Sequence, residues 1–391
     1  MNKKCVCCNG DLFEVFNLGR QPLANKYPYL EVDFKSEYTQ KMIVYLCDEC
    51  GYCHVPCDAD RSLFFEDYYY LSSINTELVN HFENLAGELS DAGAKFVLDI
   101  GSNDGVLLKP LQARGIKCLG IDPSHNVGEI ANSNGLETII GFFNQDIADR
   151  VEEEKGSPDM IVASSVFTHL SDPGEFFAVC DSILAFGGYV IIEVEFLNDI
   201  IETIGFERFY YDRPHYYTVQ SLKKLSGKYG FDVTDVKHIE AHGGSIQVKF
   251  QRVKDLSKKF ETFSNQFDSL SREQILYHFN KFEQSCAELR NQLTRFKHDG
   301  KEIGGYGCPA RLSTITNFAG IGPELLPFVV DDTPLKQGRY TPGKHIPIIP
   351  YSSSPEVENY LVFAYEYIGS IRDKLSLKDA TYFRPVPFTK I

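Results

Sequence analysis

The chain has 391 residues, so the usual size of a domain predicts two or three compact units rather than one. Its formal net charge of -15 argues against an extended phosphate-binding surface and therefore against a nucleic-acid partner, while leaving room for a local basic pocket. Apolar runs stay short of the roughly eighteen residues that a membrane span needs, so we expect a cytoplasmic protein without a membrane partner.

The N-terminal segment is rich in cysteine, with seven of the eleven cysteines inside the first 57 residues. Two C-x-x-C pairs can place four thiolates around one structural zinc ion: Cys5 with Cys8, and Cys47 with Cys50. Reduced cysteines buried as small apolar side chains are the alternative. Three further side chains leave the choice of ligands open: Cys7, Cys53 and His54. We predict a zinc-binding module over residues 1–60.

The rest of the chain alternates strand-like and helix-like patterns. Residues 61–254 begin with a helical pattern and continue as an α/β domain around a parallel, doubly wound sheet, whose ligand crevice lies beyond the carboxyl ends of the strands. Residues 255–300 contain no proline and predict a linker of one long helix or a helix pair. Residues 301–391 repeat the alternation, so we expect a second nucleotide-binding-like domain that faces the first across a cleft.

The most specific motif, VLDIGSNDGVLL, follows the first strand of the α/β domain. Its glycines let the backbone pass close to a ligand at a helix N-terminus, and its acidic residues suit a cationic or zwitterionic ligand better than a pyrophosphate. Asp122 ends the next strand, where a carboxylate can accept both hydroxyls of a ribose. The expected ligand-binding residues are Asp99, Gly101, Ser102, Asn103, Gly105 and Asp122.

An acidic cradle for an amino-acid group, followed by an acid for a ribose, resembles the class I S-adenosylmethionine-dependent methyltransferases. The segment MIVASSVFTHLSDP is similar to the stretch after the fourth strand of these enzymes. The resemblance implies S-adenosylmethionine as cofactor, with four residues around its adenine: Phe142, Phe143, Ser165 and Val166. The two phenylalanines suit an ordinary core equally well.

Nearly the whole chain resembles the three-domain sugar-nucleotide C-methyltransferases of deoxysugar biosynthesis. The resemblance rests on the paired cysteines, on YYYLSS and EAHGGSIQV, and above all on GGYGCPARLSTITNFAGI and DDTPLKQGRYTPGKHIPI. It implies a class I methyltransferase Rossmann-like domain between the zinc-binding module and a second, C-terminal Rossmann-like domain. It also implies a nucleotide-diphosphate keto-deoxysugar as substrate, methylated through an enolate at the carbon next to the ketone. We expect a monomer or a small homo-oligomer.

The resemblance carries further residues into the site. Those expected to face the sugar or to lie beside it are Tyr68, Tyr70, Ser72 and His242. Those suited to the diphosphate or the ketosugar are Lys336, Arg339 and Tyr340. The chain departs from the family's usual Lys-Gly-Asn at Arg311, Leu312 and Ser313.

The catalytic segment departs from the family more sharply. Family members carry a Tyr-His-Glu-His run, and the resemblance implies that its last histidine acts as the base. Counts along the chain from Glu193 and back from Ser221 give one register, in which the run reads Tyr210, Tyr211, Asp212 and Arg213. An arginine keeps its proton at neutral pH and cannot act as a base.

Three explanations for the missing base stay open. His215 lies two residues beyond, and the ordinary pKa of histidine, about 6.5, suits general-base work. Alternatively, the enzyme methylates an oxygen or nitrogen of the sugar, and Arg213 positions an anionic group. In the third, the segment is aromatic packing and the proton acceptor is Tyr68, Tyr70 or His242. A sugar-nucleotide-binding homologue without activity is the competing class of protein.

Overall fold

The computed structural model describes residues 3–64, 71–74, 76–240, 244–253, 269–375 and 380–391, which form three β-sheets. The strands are β1 (Lys3–Lys4), β2 (Asp11–Pro22), β3 (Thr39–Cys47), β4 (Cys53–His54), β5 (Phe96–Ile100), β6 (Lys117–Asp122), β7 (Thr138–Ile140), β8 (Met160–Ser164), β9 (Tyr189–Glu195), β10 (His215–Tyr216), β11 (Phe231–Ile239), β12 (Ser245–Arg252), β13 (Ile303–Tyr306), β14 (Val329–Val330), β15 (Ile348–Ile349), β16 (Asn359–Val362), β17 (Thr381–Arg384) and β18 (Thr389–Lys390).

The α-helices lie mostly between the strands of the two α/β domains. They are α1 (Thr76–Asp91), α2 (Leu108–Ala113), α3 (His125–Ser133), α4 (Gln145–Lys155), α5 (Pro173–Ile183), α6 (Leu197–Glu202), α7 (Val219–Gly227), α8 (Arg272–His298), α9 (Ala310–Ala319) and α10 (Ile368–Leu375). Within the described ranges, none of these helices is both long enough and apolar enough to cross a bilayer.

The largest sheet has seven strands in the order β7, β6, β5, β8, β9, β12, β11. The strands from β7 to β9 are parallel, while β12 pairs antiparallel with both β9 and β11. The predicted doubly wound α/β sheet is confirmed, with an antiparallel edge added. Strand order reverses between β5 and β8, so the ligand crevice of this sheet lies beyond the ends of those two strands.

A second α/β sheet follows the order β15, β14, β13, β16, β17, β18, and only β18 runs antiparallel to its neighbour. Its order reverses between β13 and β16, which confirms the predicted second Rossmann-like domain. The described part of the predicted linker is a single helix, α8. The Ser271 hydroxyl accepts from the Gln274 N–H, and the Gln274 side chain reaches back to the Ser271 N–H, which closes a capping box.

The N-terminal sheet has the order β1, β2, β3, β4, β10, and its last strand comes from the middle of the chain. His215 pairs with His54 and Tyr216 pairs with Cys53. The Thr218 hydroxyl, at the N-terminus of α7, also donates to the carbonyl of Cys50 over 2.7 Å. A boundary at residue 60 therefore divides the sequence but not this sheet, because the segment after β9 completes it.

One aromatic cluster joins the parts of the molecule. The ring of Phe16, on β2, lies 5.0 Å from that of Phe206, 5.1 Å from that of Phe209 and 4.8 Å from that of Phe279 on α8. All four side chains are buried. Aromatic pairs at such distances contribute about 0.5–1.5 kcal/mol beyond their buried area. The N-terminal sheet, the segment before β10 and α8 thus share one core.

Candidate active site

A cavity of about 380 Å³ lies between the carboxyl ends of the two parallel sheets, and this volume suits a bound small molecule. Polar side chains at or near the ends of four strands of the larger sheet line it: Asp99, Asp122, Ser164 and Glu195. The second sheet contributes Gly307, Cys308, Asp331 and Ala364. Because the N-terminal module adds Asn25, Lys26 and Tyr27, all three parts of the chain meet here.

The glycine-rich turn after β5 has the geometry that its sequence predicts. Gly101, Asn103 and Gly105 have φ values of 74°, 51° and 82°, in the left-handed region. A Cβ atom at Gly101 would lie 2.7 Å from the Cβ of Val166, so the turn also needs glycine for space. Gly101 and Asn103 line the cavity together with Ser102, whereas Gly105 packs against Leu136 outside the lining.

Two buried carboxyl groups, those of Asp99 and Asp122, make the floor of this cradle acidic. Asp122 accepts from the backbone N–H of Ser124 at 2.8 Å and of Asn103 at 2.9 Å, yet burial raises its pKa. Burial, followed by the negative charges of Asp122 and Glu193, raises the pKa of Asp99 well above its ordinary value. A positively charged group beside these carboxyls would therefore be stabilised.

The four residues expected around the adenine divide into two pairs. Ser165 and Val166 line the cavity, and Ser165 has a φ of 59°, which is uncommon for a residue other than glycine. Phe142 and Phe143 lie outside the lining. The ring of Phe143 packs edge-on against that of Phe176 at 5.7 Å, which makes it part of the core rather than of the cavity.

The segment from Tyr210 to Val219 contributes to the cavity, but not through His215. Tyr210, Asp212 and Arg213 line the cavity. His215 is 3% exposed, and its Nε2 lies 2.9 Å from the carbonyl oxygen of Leu170. The other ring nitrogen of His215 is hydrogen-bonded to the Tyr52 hydroxyl. His215, the expected base, lies outside the cavity lining, and its two ring nitrogens are engaged by Tyr52 and by the Leu170 carbonyl.

A histidine that the sequence reading did not single out lies in the cavity instead. His169, five residues after the end of β8, has its Nδ1 atom 2.8 Å from the carbonyl oxygen of Asp212. The Nε–H of Arg213 donates to His169 Nε2 over 3.3 Å, and Arg213 forms an ion pair with Glu195. Burial acts to lower the pKa of Arg213, but the charge of Glu195, the neighbouring Tyr210 and the hydrogen bond to Glu195 together raise it. The sequence signal that could have identified His169 is its position five residues after β8, a strand that ends at the switch point of the sheet.

Three cationic side chains line the opposite wall of the cavity: Arg208, Arg311 and Lys336. Glu366 pairs with Arg311 and lies 3.7 Å from Arg208, and all three line the cavity. Lys336 also lines it, and its Nζ donates to the carbonyl of Cys308 over 3.0 Å. Arg208 and Glu366 are site residues that sequence reasoning missed. Their positions, in a loop and a short turn, carry no sequence signal of their own.

Arg339 and Tyr340, which were expected to contact the diphosphate, lie outside the cavity lining. Arg339 donates from Nη1 to the carbonyl of Tyr27 over 3.2 Å, and the N–H of Tyr340 donates to the carbonyl of Pro28 over 2.9 Å. Neither lines the cavity, because both hold the N-terminal segment against the second α/β domain. Of this loop, only Lys336 reaches the cavity.

The residues expected on the sugar side are described only in part. Ser72 lines the cavity, and its N–H donates to the side-chain oxygen of Asn103 over 3.0 Å. The expectations for Tyr68, Tyr70 and His242 fall outside the described residues. On the same wall, the Asn25 side chain donates to the Asp212 carboxylate over 2.6 Å, a contact that sequence reasoning missed.

The four predicted ligand cysteines form one cluster: Cys5, Cys8, Cys47 and Cys50. Their sulfur atoms all lie within 4.8 Å of one another, with 3.6 Å between Cys5 and Cys50 and 3.4 Å between Cys8 and Cys47. A tetrahedral zinc site with Zn–S bonds of about 2.3 Å places its sulfurs about 3.8 Å apart. The cluster therefore fits zinc, and it leaves Cys7, Cys53 and His54 outside the set.

Two family models match the chain in tandem. One, described as a methyltransferase domain, covers residues 73–236, and the other, described as a C-methyltransferase C-terminal domain, covers residues 240–387. Over 381 residues the chain is 26% identical to C-methyltransferase NovU of Streptomyces niveus, which covers 94% of this chain and 90% of that protein.

Other relatives match a smaller part of the chain. A ubiquinone biosynthesis O-methyltransferase of Caulobacter is 30% identical over 126 residues, and the match spans 31% of this chain and 49% of that protein. Among solved structures, a magnesium protoporphyrin IX methyltransferase of Synechocystis with bound S-adenosylhomocysteine is 16% identical. That match covers 47% of this chain and 91% of the other, with a TM-score of 0.36.

Gly101→Ala tests the cradle, because the new side chain meets both a left-handed backbone and Val166. The matched control is Gly93→Ala, where φ is 81° and no atom lies within 4 Å of the added Cβ. Each variant should lose about 1–2 kcal/mol of stability through backbone strain. In chemical denaturation Gly101→Ala should lose more, and in calorimetric titration it alone should bind S-adenosylhomocysteine more weakly. Equal losses and unchanged binding would contradict this placement of the cradle.

Proposed function

We propose that this S-adenosylmethionine-dependent methyltransferase, which matches a C-methyltransferase C-terminal domain over residues 240–387, methylates a nucleotide-diphosphate keto-deoxysugar at the carbon next to the ketone. The observation that carries the proposal is a single cavity with two chemically different walls. One wall is the acidic cradle after β5 and β6, and the other is the cationic wall of Arg208, Arg311 and Lys336. A positively charged methyl donor suits the first wall, and an anionic sugar nucleotide suits the second.

The residues of the acidic cradle match the parts of the methyl donor. Asp122 is placed at a strand end to accept the ribose hydroxyls, and the turn at Gly101 lets the backbone approach the amino-acid part. The raised pKa of Asp99 falls back when a positive charge lies beside it, so binding of the cation would deprotonate this carboxyl. S-adenosylmethionine, when bound, supplies an electrophilic methyl group.

The cationic wall suits a diphosphate because its positive charge is incompletely neutralised. Arg208 and Arg311 share the carboxylate of Glu366. Burial raises the pKa of the neighbouring Glu207 against the pull of the two arginines, which favours its neutral form. Lys336 lies 3.7 Å from the Asp331 carboxylate and adds a further positive charge. Paired guanidinium groups are well suited to phosphate oxygens.

Carbon methylation also requires stabilisation of the enolate oxygen. Burial raises the pKa of Tyr210 above its ordinary value, so its hydroxyl stays protonated and remains a donor. The guanidinium of Arg213 lies 5.1 Å from the centre of the Tyr210 ring, which brings a permanent cation to the same wall. These two donors support an enolate mechanism. Methylation of a hydroxyl or an amine is the second candidate, favoured by Arg213 at the position of the family's base.

The four cysteines support a structural zinc ion in the same protein. They come from two turns that precede and follow β2 and β3, and the cluster leaves no position for a substrate because each of its four corners is a thiolate. Zinc would hold the turn before β4 and, through the pairing of β4 with β10, the segment that carries Tyr210 and Arg213.

Incubation with labelled S-adenosylmethionine and a panel of nucleotide ketosugars tests the proposed reaction. We expect one methyl group per product and, in deuterated water, the loss of one carbon-bound proton. The same sugars without the diphosphate serve as the control and should react at least roughly tenfold more slowly, because contacts to charged groups contribute about 1.5–3 kcal/mol. A methylated product that keeps every carbon-bound proton would assign oxygen or nitrogen methylation instead. If the protein neither methylates a sugar nor binds S-adenosylhomocysteine, it would instead be a sugar-nucleotide-binding homologue without activity.

Cys47→Ser tests the zinc proposal, with Cys118→Ser as the control, since Cys118 lies outside the cluster. Metal analysis should find one zinc per wild-type and control chain, and less in Cys47→Ser. The melting temperature of Cys47→Ser should fall by about 5 °C or more, because loss of a zinc ligand costs several kcal/mol. Full zinc content together with an unchanged melting temperature would refute the assignment.

A further inference from the structure

The hydrogen bonds around His169 determine which ring nitrogen carries its proton. A backbone carbonyl can only accept, so the contact of Nδ1 with the Asp212 carbonyl at 2.8 Å requires a proton on Nδ1. The Nε2 atom then carries the lone pair, and the Nε–H of Arg213 points at that lone pair over 3.3 Å. His169 is therefore held as a neutral imidazole with its basic nitrogen on the side of Arg213.

His169 also lies where the two walls of the cavity meet. It follows Ser164, Ser165 and Val166, which line the acidic cradle, and it contacts Arg213 on the sugar side. A carbon that receives a methyl group must lie between the donor and the sugar, so this position is next to the reacting atom. The length of the Arg213 contact allows a substrate to replace it.

The charges next to His169 can accommodate a second proton. Arg213 alone would oppose an imidazolium, but its ion pair with Glu195 neutralises it, and both side chains are largely buried, at 13% and 12% exposure. The Asp212 carbonyl stays hydrogen-bonded to Nδ1–H in both states. Asp212, Arg213 and Glu195 thus stabilise His169 once it is protonated, although His169 is neutral before it accepts the proton.

Among the described residues, three polar groups near His169 are poorer bases. Tyr210 stays protonated because burial raises its pKa. Glu195 is bound to Arg213, and the Asp212 carboxylate accepts from Asn25 over 2.6 Å. Carboxylates engaged in such contacts accept a proton from carbon less readily than an imidazole lone pair does.

We propose that His169 is the general base of this enzyme, an inference that rests on the proposed carbon methylation. Its Nε2 takes the proton from the carbon next to the ketone, and the electron pair of the broken C–H bond forms the enolate. Arg213, at the position of the family's histidine, then donates to the enolate oxygen. The enolate carbon forms its bond to the methyl group while the S–CH₃ bond breaks and its electron pair returns to sulfur. The proton remains on His169 until it passes to solvent.

His169→Asn tests the inference, because an asparagine amide can still donate to the Asp212 carbonyl while the basic Nε2 is removed. The probe is a nucleotide-linked 4-keto-6-deoxyhexose in deuterated water, with S-adenosylhomocysteine in place of the methyl donor. We expect deuterium exchange next to the ketone to slow by roughly 10²- to 10⁴-fold, and methyl transfer to slow equally. His125→Asn, at a histidine whose side chain is 76% exposed, should exchange like the wild type.

Two further measurements separate the possible failures. Affinity for S-adenosylhomocysteine should stay within about twofold in His169→Asn, and added imidazole should restore part of the exchange. If that variant fails to fold, His169→Gln with the same imidazole rescue replaces it. Exchange at the wild-type rate in a folded variant would overturn His169 as the base and leave carbon methylation standing. A wild-type enzyme that methylates the probe without any exchange or loss of a carbon-bound proton would instead overturn the proposed function.

Discussion

The pairing of β10 with β4 is the contact on which the active-site geometry depends. It is only two residues long, His215 with His54 and Tyr216 with Cys53, and it continues as a bond from the Val55 N–H to the carbonyl of Pro214 over 2.9 Å. It adds to the aromatic contacts of Phe206 and Phe209 with Phe16, which hold the start of the same segment. With it, Asp212 and Arg213 are held over the crevice of the larger sheet. The cysteine cluster lies in the turns before β2 and after β3, and the second of these turns leads into β4.

The charge distribution inside the cavity differs from the acidic character of the chain as a whole. The chain carries a formal net charge of -15, yet one wall of the cavity combines Arg311 and Lys336 of the second α/β domain with Arg208 from the segment before β10. Each buried arginine is balanced by a carboxylate, Glu195 for Arg213 and Glu366 for the other two, which avoids an isolated buried charge. The opposite wall concentrates carboxyl groups. The cavity thus combines an acidic wall with a wall that carries cationic side chains.

Local signals in the sequence predicted much of this structure. Alternating apolar runs predicted both α/β sheets, and cysteine spacing predicted which four thiolates form the cluster. The turn at Gly101 was predictable because its φ and its contact with Val166 both demand glycine. Each of these features carries a short local pattern, such as C-x-x-C or the glycine-rich turn, even where the groups it brings together lie far apart in the chain.

The residues of the candidate active site were harder to predict because their positions depend on contacts between distant parts of the chain. Counting placed Arg213 at the position of the family's base, but could not show that pairing with β4 turns His215 toward Tyr52. His169 looked like one polar residue in a loop, since its partners Asp212 and Arg213 are more than forty residues away. Two-residue strands such as β10 leave no periodic pattern, so the boundary of the N-terminal sheet was also beyond sequence reasoning.

A crystal structure of the protein with S-adenosylhomocysteine and a nucleotide-linked ketosugar would test the central claim most directly. The account predicts the adenosyl ligand beside Asp122, the diphosphate on the wall of Arg208 and Arg311, and the carbon next to the ketone about 3–3.5 Å from His169 Nε2. A sugar hydroxyl or amine at that position, or a sugar bound outside the cavity, would contradict it.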